Sequence, residues 1–216
     1  MGRYYVDRVK DGKKIYYVIR SSDDTSIIME PTKYLKHKLN QRRSPNTIRR
    51  LAYGISYYMN YMEEIEMTIQ EVMEMKYTEQ HEHFINFLNW LQAGKHCNRR
   101  KLANNNTCNS YLQTVFGYYL FLLLEYEQLG DIKVLERKDI GYNSSVGVRF
   151  RRSVQTFPGY LPKQESVSKT IEKDKIISLL EKSTSLRTQL LILLLAETGF
   201  RIGELLGIKY RSEEHT

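Results

Sequence analysis

The sequence predicts a mainly α-helical protein that opens with a β-hairpin. Three observations carry this. Apolar residues recur at helical spacing through most of residues 31–130, two β-rich runs flank Asp11-Gly12, and helical pattern resumes after residue 169. The chain has 216 residues, of which 41% are hydrophobic and 27% charged, a composition that suits one large or two modest folded domains.

The first element is YYVDRVKDGKKIYYVIR, Tyr4 to Arg20, which reads as a hairpin turning at Asp11-Gly12 and is expected as a small appendage over residues 1–28. A compact helical bundle is expected over 29–130. Ser44-Pro45 reads as an N-cap followed by a proline at the first helical position, and Ile48, Leu51, Ile55, Tyr58, Met59 and Met62 share one face of a helix ending near Glu63. A shorter helix runs from about Glu79 to Gln92 with Phe84, Phe87, Leu88 and Leu91 inward. A long one follows Asn104-Asn105-Asn106, striped by Leu112, Val115, Phe116, Tyr119, Leu123 and Tyr126 and closed by Gly130.

Periodicity is lost over 131–168, where Gly141, Gly147, Pro158, Gly159 and Pro162 punctuate a basic stretch that reads as an interdomain linker. Thr170 is then expected to cap IEKDKIISLLEK, and a helix over about Leu186 to Glu197, expected to be buried, ends at Thr198-Gly199. Residues 169–210 would begin a second domain. They are too few to bury a core by themselves.

Charge narrows the function. The formal net charge is +8, and it is uneven: residues 31–50 hold Lys33, Lys36, Lys38, Arg42, Arg43, Arg49 and Arg50 with no acid, whereas 60–82 hold seven glutamates against one lysine. Further basic clusters are GKHCNRRK, Gly94 to Lys101, and VRFRR, Val148 to Arg152. One such cluster reads as well as a solvated face; three beside long helices fit a phosphate backbone, with a membrane surface the weaker alternative. No apolar stretch approaches the roughly 18–20 residues of a membrane span, and MGRYYVDRVKDGKK lacks a secretory apolar segment. The chain is therefore expected in the cytoplasm. Cys97 and Cys108 make no disulfide framework. His81 and His83, with His96 and the cysteines, fit no standard zinc spacing, so no metal site is expected.

Near the C-terminus, AETGFRIGELLGI resembles the first box of the tyrosine recombinases, the phage-integrase family, written A-x-T-G-x-R-x-x-E-L. Ala196, Thr198, Gly199, Arg201, Glu204 and Leu205 match it. SPNTIRRLAYGISYYMNYM resembles the family's core-binding helix, and NNNTCNSYLQTVFGYYLFLLLE the last long helix of the same domain; together the likeness covers about Pro31 to Lys209. Leu51 and Gly54 depart from it, standing where the family often has an aromatic and a polar residue. Taken alone, the box also reads as a helix C-cap followed by an exposed arginine.

The resemblance implies a SAM-like core-binding domain over 29–130 and the start of a catalytic domain over 169–210. It implies a tyrosine that attacks a DNA phosphodiester, giving a 3′-phosphotyrosyl link and a free 5′-hydroxyl, with no cofactor and with the parent acting as a homo-oligomer, a tetramer, on DNA. Arg201 would hold the scissile phosphate, because a planar, permanently charged guanidinium donates two hydrogen bonds to non-bridging oxygens, and Glu204 would support it. Duplex DNA is expected on Lys36, Arg42, Arg43, Ser44, Asn46, Thr47, Arg49 and Arg50, and on Arg99, Arg100, Lys101, Asn105, Asn106, Thr107, Asn109 and Tyr111. The asparagines read equally as a polar loop.

The family's remaining active-site groups lie beyond this first box, and none of the 17 tyrosines follows it at a suitable distance. The chain is expected to be a fragment that binds DNA without cutting it. RSEEHT, Arg211 to Thr216, is what the start of a common sequencing-library adapter encodes, so a non-native tail is expected there. The alternative is a non-catalytic DNA-binding regulator or competitor of such enzymes.

Overall fold

The computed structural model describes residues 2–12, 14–96, 103–126, 130–143, 149–165 and 170–207, with positions 14, 140, 142, 143 and 149–152 described by their backbone. The described residues are mainly helical and form two units, Met1–Gln164 and Glu165–Thr216.

In the first unit, strands β1 (Tyr4–Asp11) and β2 (Lys14–Ser21) pair antiparallel from Tyr4 opposite Ser21 to Asp11 opposite Lys14. Helices α1 (Met29–Asn40), α2 (Pro45–Glu64), α3 (Ile69–Glu74), α4 (Tyr77–Gln92) and α5 (Asn105–Glu125) follow. The centre is α2, which packs against the hairpin, α1, α4 and α5. It begins where the sequence places it: the Ser44 hydroxyl accepts the Thr47 N–H at 3.2 Å, with Pro45 at the first helical position.

The hairpin expected as an appendage is built into this unit. Ile19 is fully buried among Tyr34, Leu35, Ile48 and Ile55. Asn60 of α2 grips the main chain of Tyr4 twice, accepting its N–H at 2.8 Å and donating to its carbonyl at 2.9 Å, and Ser56 donates to the same carbonyl. Buried main chain must find partners, and α2 supplies them.

A second, larger core joins α2, α4 and α5 through Tyr58, Phe84, Phe87, Leu88, Leu112, Val115, Phe116 and Tyr119. Inside it the Tyr58 hydroxyl bonds His83 Nε2 at 2.8 Å and the Tyr119 hydroxyl at 2.6 Å, so buried polar atoms satisfy one another. Burial pushes the His83 imidazole down to about 4, which keeps it neutral near pH 7. Its neighbour His81 lies instead against Phe157 and Tyr77. Among the described residues no three metal-capable side chains gather.

The two departures from the family pattern are packing positions. Leu51 is buried, and a Cβ added at Gly54 would stand 3.1 Å from the Thr114 side chain of α5. The missing side chain allows α2 and α5 to approach.

The linker expected over 131–168 is corrected. Strands β3 (Glu136–Asn143) and β4 (Arg149–Thr156) form a second antiparallel hairpin, with Glu136 opposite Thr156 and Asn143 opposite Arg149. Its roots are core: Ile132, Val134 and Phe157 are buried with α4 and α5. Gln80, itself fully buried, binds the entering chain, donating to the carbonyls of Val72 and Asp131 and accepting from the Lys133 and Val134 N–H groups. Helix α5 also ends earlier than expected, at Glu125 rather than Gly130.

The second unit holds α6 (Lys173–Lys182), α7 (Leu186–Thr198) and α8 (Ile202–Leu206). Glu172, not Thr170, occupies the α6 N-cap position. The apolar run of α7, expected to be buried, carries no buried residue: Leu186, Leu190 and Leu193 are exposed, and among the described residues nothing covers them. No described helix is long and apolar enough to cross a membrane.

Candidate nucleic-acid interface

The basic face of the first unit is organised by the turn from α1 into α2. Arg42 takes a left-handed backbone, φ 58°, and donates its N–H to the Leu39 carbonyl at 2.9 Å, so the chain reverses in a few residues. Arg42, Arg43, Asn46, Arg49 and Arg50 are all exposed around the start of α2, and Lys36 is exposed on α1. No acid stands in the first turn of α2, leaving the positive end of its dipole uncompensated. Nearby, the Lys38 ammonium lies 5.3 Å from the Tyr34 ring, and its pKa is lowered by burial and then by Arg43.

Residues 49, 53 and 57 are spaced four apart and share one stripe of α2. The Arg49 guanidinium sits 5.8 Å from the Tyr53 ring, Tyr53 lies 5.9 Å from Tyr57, and Tyr57 meets Tyr111 of α5 edge to face at 5.2 Å. With Asn46 and Arg50 these side chains line a concavity of about 350 Å³. Asn46, Arg49 and Arg50 from one sequence-predicted region are thus brought together with Tyr111 from the other. Tyr53 and Tyr57 were not singled out by sequence, although their spacing from Arg49 carries the signal. A larger apolar concavity of about 670 Å³, lined by Ile28, Met59, Ile69, Tyr118 and Leu122 among others, includes none of the sequence-predicted DNA residues.

The remaining predicted contacts fall elsewhere. Ser44 and Thr47 form the α2 cap. Thr107 donates its N–H to Asn104 Oδ1 at 2.8 Å in the corresponding cap of α5. The amides at the start of α5 hold the strap that leaves β4. Asn109 donates to the Leu161 carbonyl at 2.8 Å and accepts the Leu161 N–H at 2.9 Å; Asn106 pairs in the same manner with Gln164, at 2.7 and 3.2 Å. Asn105 donates to the Pro162 carbonyl at 3.0 Å. Arg99, Arg100 and Lys101 lie outside the described residues, as do Tyr210 and the tail 211–216.

In the second unit the box folds as a tight exit from α7. Gly199 is left-handed, φ 65°, a conformation in which a side chain would be strained. The Thr198 hydroxyl donates back to the Leu194 carbonyl and accepts the Phe200 N–H at 3.2 Å. Arg201 is the N-cap of α8. Glu204 accepts the Arg201 N–H at 2.8 Å with one oxygen and the guanidinium at 3.1 Å with the other, while Leu205 is buried. The Arg201 side chain is nonetheless 87% exposed. An ion pair this exposed contributes little stability, so Glu204 holds the guanidinium only weakly.

These features define a helical protein with a basic, aromatic-lined helix N-terminus in one unit and a solvent-facing arginine turn in the other. The chain is distantly similar to "Transposase A from transposon Tn554" of Staphylococcus aureus, strains Mu50 and N315 included. The identity is 22% over 215 residues, covering 94% of this chain and 56% of the relative. It spans little more than half the length of these curated relatives. No family model matches the chain, and no solved structure does.

Proposed function

We propose that the chain is the DNA-binding N-terminal part of a site-specific recombinase or transposase of the tyrosine type, whose parent cuts and rejoins DNA as an oligomer. The observation that carries this reading is the convergence of Asn46, Arg49 and Arg50 with Tyr53, Tyr57 and Tyr111 at an α2 N-terminus lacking acids. Guanidinium groups and helix N–H groups suit phosphates, and partly exposed tyrosines suit sugar and base edges. The relation to a transposase supports it. In this reading Arg201 waits on the scissile phosphate, oriented by Glu204, and the nucleophile is supplied by a part of the parent beyond this chain.

A gel-shift titration with duplex DNA over a range of salt tests the proposal. The unaltered chain should bind with an affinity that falls steeply as salt rises, and replacing Arg42, Arg43, Arg49 and Arg50 with glutamine should weaken binding by orders of magnitude. Unchanged binding by that variant rejects this face as the DNA surface.

A further inference from the structure

Among the described residues, the β3–β4 hairpin is tied to its unit through its roots. Its roots, Val134 and Phe157, are buried, yet among the described residues the backbone of neither strand comes close to a helix or to the other hairpin. A two-stranded hairpin by itself is marginal in water. Its composition adds a direction: Arg137, Lys138, Arg149, Arg151 and Arg152 stand against Glu136 and Asp139. Register places position 137 opposite 155, 141 opposite 151 and 143 opposite 149. Because strand positions alternate between faces, 137, 149 and 151 share one face and 138 and 152 the other. Cationic positions therefore occur on both faces. Each strand has eight residues, about 26 Å at the usual rise. A two-stranded ribbon of that size fits the major groove of duplex DNA, which is about 12 Å wide with a phosphate wall on each side.

We propose that β3–β4 is a DNA-contacting ribbon that enters a groove of duplex DNA beside the segment held by α2, its two faces answering the two phosphate walls. It is a second contact surface on the same unit, and it rests on the DNA-binding reading given above.

The test uses the full chain and a labelled duplex, following anisotropy against salt and hydroxyl-radical protection of the DNA. Three variants are compared: Arg149→Gln/Arg151→Gln/Arg152→Gln, the same positions changed to lysine, and Arg49→Gln/Arg50→Gln. For the ribbon glutamine variant, the slope of log affinity on log salt should become shallower by about 2–3, since each phosphate contact contributes about 0.9. Protection should be lost on one flank only, and the lysine variant should keep both slope and flank. Thermal unfolding of both ribbon variants should match the unaltered chain, because the substituted positions lie beyond the buried roots. The Arg49/Arg50 variant should lose the other part of the footprint. A ribbon glutamine variant with unaltered slope and footprint overturns the proposal while leaving the α2 face standing. So does one that loses only self-association, which would assign the ribbon to an acidic protein surface. If the unaltered chain does not bind duplex DNA, both readings fall.

Discussion

Asn109 and Leu161 are joined as two strand residues would be: the side-chain amide donates to the Leu161 carbonyl at 2.8 Å and accepts its N–H at 2.9 Å. One turn earlier on α5, Asn106 repeats the pairing with Gln164. Replacing Asn109 with alanine would remove both bonds and leave a partly buried N–H and carbonyl unmatched. A loss of about 2 kcal/mol is expected in urea denaturation, with faster hydrogen exchange at residue 161. Asn109→Asp, which keeps the acceptor and loses the donor, should fall between. An Asn109→Ala chain as stable as the original would show that the strap is held by its apolar contacts alone.

Gly54 tests the α2–α5 approach. Alanine there gains up to about 1 kcal/mol of helix propensity but places its Cβ 3.1 Å from Thr114 Cβ and 3.2 Å from Thr114 Cγ2. Valine adds crowding without that gain and should cost about 1–3 kcal/mol. Thr114→Ser removes the second of those contacts, so the Gly54→Val/Thr114→Ser pair should recover part of the loss in a double-mutant cycle.

His83 should give the fold a pH dependence of defined sign. Its folded pKa is depressed to about 4 by burial, so the unfolded chain takes up a proton near pH 6.5 while the folded chain does not. Stability from neutral His83 is complete above about pH 6.5 and is lost as pH falls toward 4, by about 3 kcal/mol in all. Comparing pH 7 with pH 5 isolates the effect from the carboxylates, whose shifts lie lower. His83→Gln should flatten the profile between those values. A profile that stays steep in that variant would place the titrating group elsewhere.

Arg201 is expected to matter for chemistry and little for affinity. In the longer parent that the proposed function implies, Arg201→Ala or Arg201→Lys should retain most DNA binding, because the proposed α2 face is untouched, and lose cleavage by about 10² to 10³ or more. A suicide substrate that traps the covalent protein–DNA adduct reports this directly. Adduct formed at the normal rate by Arg201→Ala would remove the box from the mechanism, and adduct formed by the present chain would place the nucleophile among its own tyrosines.

What could be read in advance was local. Ser44-Pro45 announces its helix because cap and proline act within four residues, and Thr198-Gly199 announces a helix end because only a left-handed residue closes it cheaply. The basic start of α2 was legible from charge, and Arg201 with Glu204 from the likeness of AETGFRIGELLGI to a known box. The second hairpin was not. ERKDIGYN and RFRRSVQT alternate poorly and are rich in charge, and their place is set by roots at Val134 and Phe157 that pack with α4 and α5. The pairing of Asn106 and Asn109 with the strap was hidden for the same reason: their partners lie 58 and 52 residues away, where no neighbouring residue could signal them. Thr170 lost the cap position of α6 to Glu172, two residues on, a choice that short-range pattern does not discriminate.

Gln80 imposes an order on synthesis. A nascent chain leaves the ribosome N-terminus first, and α4 emerges with a glutamine whose amide must reach the carbonyl of Asp131, 51 residues later. At about 5–20 residues per second that gap is several seconds, during which the amide and the apolar seat of Val134 stay hydrated. A ribosome stalled at residue 130 would hold α2, α4 and α5 with the seat of Val134 and Phe157 unfilled, and one released past the strap would let it fill. An expression boundary drawn at 130 would remove Val134 and Phe157 from the core and leave Gln80 without Asp131, whereas a cut after Gln164 keeps every piece of the first unit.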